Sequence, residues 1–229
     1  TCLQSSLWGK DQFSQETLTS RLFLDYDKVE EDNQTIKKKI GIESTKIEIS
    51  KTLDWFEKMP DSTKVRLDPN QSLNTDDLLR WIEALLGNPK LDFIEQPLLG
   101  LPTDNFMELI EETNFPVALD EAVVSCGGPS ILKKLGWNGI FVIKPTLLPD
   151  WMETIDFVLE NPKKSVISSV FESRFGYEAV LRLSGFSELV AGIDRSNISE
   201  VTEGLKPTSN SFAVKPYSPS HLDKFWQLF

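Results

Sequence analysis

Four charged residues each close a short apolar run: Asp68 in Val-Arg-Leu-Asp, Glu95 in Asp-Phe-Ile-Glu, Asp120 in Val-Ala-Leu-Asp and Lys144 in Phe-Val-Ile-Lys. They recur at intervals of 27, 25 and 24 residues, and Lys39 stands 29 residues ahead of Asp68 in the same phase. That period suits one strand-plus-helix unit, so in a barrel of parallel strands all five groups reach the rim formed by the carboxyl ends of the strands. Three carboxylates gathered there repel one another and resist ionisation unless a cation joins them. Ligation by hard oxygen anions alone selects Mg²⁺, with Mn²⁺ as a substitute, over zinc or copper. A lysine works as a base only when its pKa, ordinarily about 10.4, is drawn toward neutrality. Lys37 shares a strand face with Lys39, and its like charge pushes in that direction. A dication beside such a base suits removal of a proton α to a carboxylate. Taken singly, each acid reads equally well as a helix cap or surface charge, and Lys144 as a snorkelling side chain. The shared phase of the set carries the chemical reading.

The elements that must position these groups are legible as β-rich runs alternating with helical patterns, the rhythm of a parallel sheet with crossover helices. Eight strands are predicted: Arg21–Tyr26, Thr35–Ile42, Lys64–Asp68, Leu91–Glu95, Pro116–Asp120, Ile140–Lys144, Ser165–Ser169 and Glu188–Ile193. Eight suggests closure into a barrel. Between them, Asn74 caps a helix whose stripe is Leu78, Leu79, Ile82, Leu85 and Leu86 and whose stop is Gly87. Trp151, Met152, Ile155, Val158 and Leu159 repeat the stripe after Pro149-Asp150, and both stripes are expected to pack on the barrel. Gly127-Gly128-Pro129-Ser130 reads as a turn before a helix, not a phosphate loop, and Cys126 beside it as a small packed residue. The Pro- and Ser-rich stretch 206–220 reads as an irregular tail whose apolar end, Phe225–Phe229, docks back on the body.

Bulk properties narrow the chemistry further. The 229 residues fit one barrel domain of roughly 200–250 residues. The excess of 35 acidic over 24 basic residues disfavours nucleic acid and anionic membranes as partners and favours a small molecule. Two cysteines, Cys2 and Cys126, are too few for a disulfide framework, so the cytoplasm is the expected compartment. A single histidine, His221, leaves acid–base work to Lys, Asp, Glu or Tyr, although Tyr26, Tyr177 and Tyr217 have no distinguishing context. The start, Thr1-Cys2-Leu3-Gln4, lacks the pattern of a signal peptide and an initiator Met, and the chain is expected to be a fragment or a processed form.

Lys37-Lys38-Lys39, Arg66-Leu67-Asp68-Pro69-Asn70, Ile94-Glu95-Gln96-Pro97, Leu119-Asp120-Glu121 and Ile143-Lys144-Pro145 resemble the strand-end motifs of the muconate-lactonising branch of the enolase superfamily. Within that branch Arg66, the Ile143–Leu147 run and the segment Ser168–Gly176 are most similar to the o-succinylbenzoate synthases. The resemblance implies an α/β fold, the modified (β/α)₇β barrel of that superfamily with most of its N-terminal capping domain absent. On that reading residues 1–18 are a remnant of the cap, 19–205 the catalytic barrel and 206–229 the tail. It implies Mg²⁺ on Asp68, Glu95 and Asp120, Lys39 as the base and Lys144 facing the other side of the enolate, the lysine-and-magnesium arrangement for which the superfamily is known. It further implies substrate contacts at Lys37, Ser168 and the backbone of Gly192, with Arg66 ordering the site. The implied reaction is dehydration of 2-succinyl-6-hydroxy-2,4-cyclohexadiene-1-carboxylate to o-succinylbenzoate, on the route to menaquinone or phylloquinone. Racemases of N-acylamino acids, dipeptide epimerases and muconate cycloisomerases share the metal and lysine pair, and a barrel without activity is the remaining alternative. One residue departs from the pattern: Lys38 points toward the helix layer, where the family carries an apolar side chain.

Overall fold

Strands and helices alternate as that rhythm predicts. The computed structural model describes residues 17–23, 25–26, 29, 34–170, 172–194 and 213–214. The strands are β1 (Thr17–Leu18), β2 (Arg21–Phe23), β3 (Thr35–Lys39), β4 (Lys64–Asp68), β5 (Leu91–Glu95), β6 (Val117–Leu119), β7 (Ile140–Ile143), β8 (Ser165–Ile167) and β9 (Ala213–Val214). The helices are α1 (Thr45–Lys58), α2 (Thr75–Leu85), α3 (Asp104–Thr113), α4 (Glu121–Ser125), α5 (Pro129–Lys134), α6 (Trp151–Glu160) and α7 (Arg174–Ser184). Strands β2 to β8 form one parallel sheet in chain order.

The eighth predicted strand is reduced to two bridges, Gly192 to Ser168 beyond β8 and Ala191 to Thr19 ahead of β2. Hydrogen bonds from Gly192 N to Ile167 O (2.8 Å) and from Ser20 N to Ala191 O (2.7 Å) carry the ring across both edges of the sheet. Gly192 suits the close passage, since a Cβ there would lie 3.2 Å from Ser168 Oγ. Ala213–Val214 pairs antiparallel with Thr17–Leu18, and the rest of the predicted tail, with Cys2, His221 and Tyr217, lies outside the described residues.

Alternation along each strand sorts side chains between two cores. Inside the ring, Phe93, Ala118, Val142 and Val166 form a small apolar layer. Outside it, Ile36, Val65, Leu67, Ile94, Leu119 and Ile143 belong to the larger core shared with the helices. Helix α2 buries Leu78, Trp81, Ile82 and Leu85, each worth about 1.5–3 kcal/mol on burial, and Asn74 Oδ1 accepts Asp77 N at 2.9 Å as its cap. The predicted stripes were drawn too wide. Leu79, Leu86, Met152 and Leu159 are exposed, and Trp81, Thr154 and Phe157 take inward positions instead.

Lys38 is buried on the outer face with its ammonium 4.8 Å from the centre of the Tyr26 ring. Tyr26 in turn meets Trp55 edge-on at 5.3 Å and lies 3.4 Å from Thr52 Oγ1. An aromatic face is an apolar surface that attracts a cation, and the Tyr26 ring offers the buried Lys38 ammonium such a contact. Among the described residues no helix is long and apolar enough to cross a membrane.

Candidate active site

The inner positions of β3 to β7 run from the apolar layer up to a charged rim. Asp68, Glu95 and Asp120 are each 3% exposed, enough burial that none can remain charged without a partner. Lys37 supplies one: its ammonium donates to Glu95 Oε1 at 2.7 Å and lies 2.9 Å from Asp68 Oδ2. Lys144 supplies the other by donating to Asp120 Oδ2. Burial alone would lower the Lys37 ammonium, but Glu95 and Asp68 together hold it well above the usual lysine value. Glu95 is pushed up to about 7, first by burial and then by the charges of Asp68 and Asp120, against the pull of Lys37. Burial also raises Asp120, opposed by Lys144.

The expectation that the three acids converge on one point needs a correction. Among the described residues no three Asp, Glu, His or Cys side chains are grouped so as to hold one ion, and two ammonium groups sit on the carboxylates. The donor set nevertheless fits a hard dication. Asp120 Oδ1 is buried and accepts no hydrogen bond, and Asp68 and Asp120 are close enough to raise the proton affinity of Glu95. An all-oxygen set with an acceptor still open suits Mg²⁺ and has no soft ligand for zinc or copper.

Lys39 lies at the mouth of the ring in register with Asp68, exposed to solvent, its ammonium donating to Asn70 Oδ1 at 2.6 Å. Asn70 N also donates to Asp68 Oδ1 at 2.9 Å, so a single residue ties the proposed base to an acid. Glu48, from the first turn of α1, fixes the turn after Lys39 by accepting Gly41 N, Ile42 N and Glu43 N at 2.7, 3.0 and 3.1 Å. Gly41 holds φ +79 there, which explains why β3 stops at Lys39 and not at the predicted Ile42.

The predicted substrate contacts are placed less simply. Ser168 is half-buried one residue past the end of β8, bridged to Gly192, and its hydroxyl donates to Gly192 O at 3.2 Å. Gly192 gives its N–H to Ile167 O, so as placed its backbone offers no open donor for a substrate carboxylate; closing the ring takes it. Arg66 is 2% exposed beneath the rim, not on it. Its guanidinium donates to Asp92 Oδ2 (2.7 Å), Val190 O (2.7 Å) and Ser20 Oγ (3.4 Å) and lies 4.7 Å from the Phe93 ring centre. It thereby joins β4 and β5 to the closing segment. Asp92 can meet it because the register shifts between Val65 and Arg66, which makes Asp92 an extra residue opposite them.

Sequence reasoning gave no role to Asn70, Gln71 and Gln96. All three hold positive φ (47, 65 and 39) just past the ends of β4 and β5, where non-glycine residues store strain. Gln71 N donates to Gln96 O at 2.9 Å and Gly100 N to Gln71 Oε1 at 3.2 Å, clasping the two loops together.

A ring of parallel strands with carboxylates and lysines at its carboxyl rim defines a (β/α) barrel of the kind that places acid–base chemistry at that end. The profile of the enolase C-terminal domain-like family matches residues 26–143, and the chain belongs to that family. A curated o-succinylbenzoate synthase from Thermosynechococcus vestitus is 31% identical over 154 residues, which cover 65% of this chain and 48% of the relative. The chain thus spans about half the length of that relative. The crystal structure of o-succinylbenzoate synthase from Thermosynechococcus elongatus BP-1, complexed with Mg in its active site, aligns with a TM-score of 0.62 at 24% identity over 85% of this chain and 59% of that one. Muconate lactonizing enzyme from Pseudomonas putida aligns with a TM-score of 0.67 at 17% identity over 87% and 61%.

Proposed function

We propose that this chain carries the catalytic barrel of a Mg²⁺-dependent o-succinylbenzoate synthase, acting on a small carboxylate substrate in the cytoplasm. The observation that carries the reading is the rim itself: three buried acids from consecutive strands, flanked by Lys39 on one side and Lys144 on the other. The choice of reaction within the family is supported by the 31% identity to an o-succinylbenzoate synthase. Asp68, Glu95 and Asp120 would hold Mg²⁺, which when bound supplies a Lewis acid for the substrate carboxylate.

The chain's own residues do the rest. Lys39, as the free amine, takes the proton α to that carboxylate, and Asn70 holds its Nζ at the mouth of the ring. Lys144, across the rim on β7, presents a positive charge to the developing enolate. Lys37 keeps Asp68 and Glu95 in place from below. The ring hydroxyl then leaves as water with the proton that Lys39 took, which restores the amine and yields an aromatic product. The reaction supplies its own driving force, so few groups are required beyond those that stabilise the enolate.

Lys39→Ala tests this. Dehydration of 2-succinyl-6-hydroxy-2,4-cyclohexadiene-1-carboxylate with Mg²⁺ present should fall at least about 10²-fold in kcat, the scale of a lost general base. Near-normal turnover would remove Lys39 from the mechanism. Running racemisation of N-acylamino acids beside it with the unaltered chain decides the reaction: activity in that second assay alone makes the protein a racemase.

A further inference from the structure

Asp120 occupies the N-cap position of α4, where an aspartate ordinarily turns its carboxylate onto the free N–H groups of its own helix. Here it makes no such bond. One carboxylate oxygen accepts from Lys144 and the other is buried with no partner. The missing capping bonds come from another strand. Gln96, the residue after Glu95, accepts Asp120 N and Ala122 N on its side-chain oxygen, both at 3.0 Å. Its side-chain nitrogen donates to Leu98 O and Gly100 O, both at 3.1 Å. All four hydrogen-bonding positions of the amide are filled in a residue 1% exposed. Gln96 also tolerates φ +39 at this place, a strained backbone that persists only where surrounding bonds over-determine it.

We propose that Gln96 is a positioning residue that caps α4 in place of Asp120 and thereby leaves the Asp120 carboxylate facing the rim. The inference rests on reading Asp120 as a cation ligand in the proposed active site. Its physical content is a competition. With Gln96 present, the N–H of Ala122 is satisfied from outside. With Gln96 gone, the acceptor that N-cap geometry supplies for it is the Asp120 carboxylate, and turning there withdraws the carboxylate from Lys144 and from any shared ion.

Two substitutions separate positioning from mere support of the fold. Gln96→Leu keeps the volume and removes the cap, whereas Gln96→Glu keeps an acceptor oxygen toward Asp120 N and Ala122 N and replaces the nitrogen that donates to Leu98 O and Gly100 O with a second oxygen. By calorimetric titration with MgCl₂, Gln96→Leu should bind Mg²⁺ at least about tenfold more weakly, the cost typical of disturbing a group that orients a ligand. Gln96→Glu should stay within about threefold of the unaltered protein, although both should melt at lower temperature without metal. In metal-free crystals Asp120 should turn onto Ala122 N in Gln96→Leu and stay on Lys144 in Gln96→Glu. Equal Mg²⁺ affinity in the two variants, or an unmoved Asp120 in Gln96→Leu, overturns the proposal. If Gln96→Leu does not fold, a folded Gln96→Glu with lost affinity or a turned Asp120 overturns it as well. Failure of the unaltered protein to bind Mg²⁺ marks the cation reading as wrong, and the metal-free positions of Asp120 then decide the role of Gln96 by themselves.

Discussion

At the scale of single residues, the rim is a set of buried charges balanced against one another, and Glu95 is the member balanced least well. In the unfolded chain it ionises at about 4.5, while in the fold burial and two neighbouring carboxylates push it up to about 7. The folded state therefore holds a proton that the unfolded state has released between those two values. The stabilisation from that proton is complete below pH 4.5 and is lost as pH rises to 7. Its size is on the order of 3 kcal/mol by linkage. Urea unfolding of the metal-free protein at pH 5 and pH 7.5 should show this loss, and Glu95→Gln, which cannot titrate, should show a smaller one by about that amount. Parallel pH profiles for the two proteins would mean that Lys37 compensates Glu95 fully.

At the scale of elements, the loop after β3 has to hold Lys39 at the mouth while leaving it exposed, and it is held from behind by a carboxylate. Glu48 is 4% exposed and accepts three consecutive backbone N–H groups from residues 41–43. Those donors have no other partner within the turn, so Glu48→Ala should destabilise the protein by about 2–4 kcal/mol in urea unfolding. A drop below about 1 kcal/mol, the cost of an ordinary cap such as Asn74, would show that water replaces the carboxylate. Most of the element map was legible beforehand, because period and phase are local properties of a sequence. The rim acids and Lys144 were found by their shared phase at the ends of apolar runs. The bonds of Gln96, Asn70 and Glu48 were not, since each depends on where a polar side chain reaches after folding, and Gln96 satisfies N–H groups about 25 residues away. Arg66 was legible as a motif residue, yet its place beneath the rim is set by the bulge at Asp92 and by Val190 across the ring. The eighth strand was read as a full element and is two bridges, because its apolar run fixes direction but not the number of ladder bonds.

At the scale of the whole molecule, the rim and the ring depend on each other. Asp68, Glu95 and Asp120 lie at the ends of three successive strands, so whatever neutralises them together also ties three strand-helix units to one another. Two lysines do this in pairs, Lys37 across β4 and β5 and Lys144 onto Asp120. A divalent ion shared by all three acids would add a link that the lysine pairs do not make. Binding restricted to the fold stabilises it by about 2.7 kcal/mol at a hundredfold excess over Kd. For a chain of this size that corresponds to a rise in Tm of about 5–10 °C. A thermal melt in millimolar MgCl₂ should show the rise against EDTA, and Asp120→Asn should remove most of it by removing the carboxylate charge at the end of β6. If the folded chain melts at the same temperature with and without the ion, the lysines suffice, the barrel is closed and stable without a cation, and its charged rim is a structural device with no catalytic ion to hold.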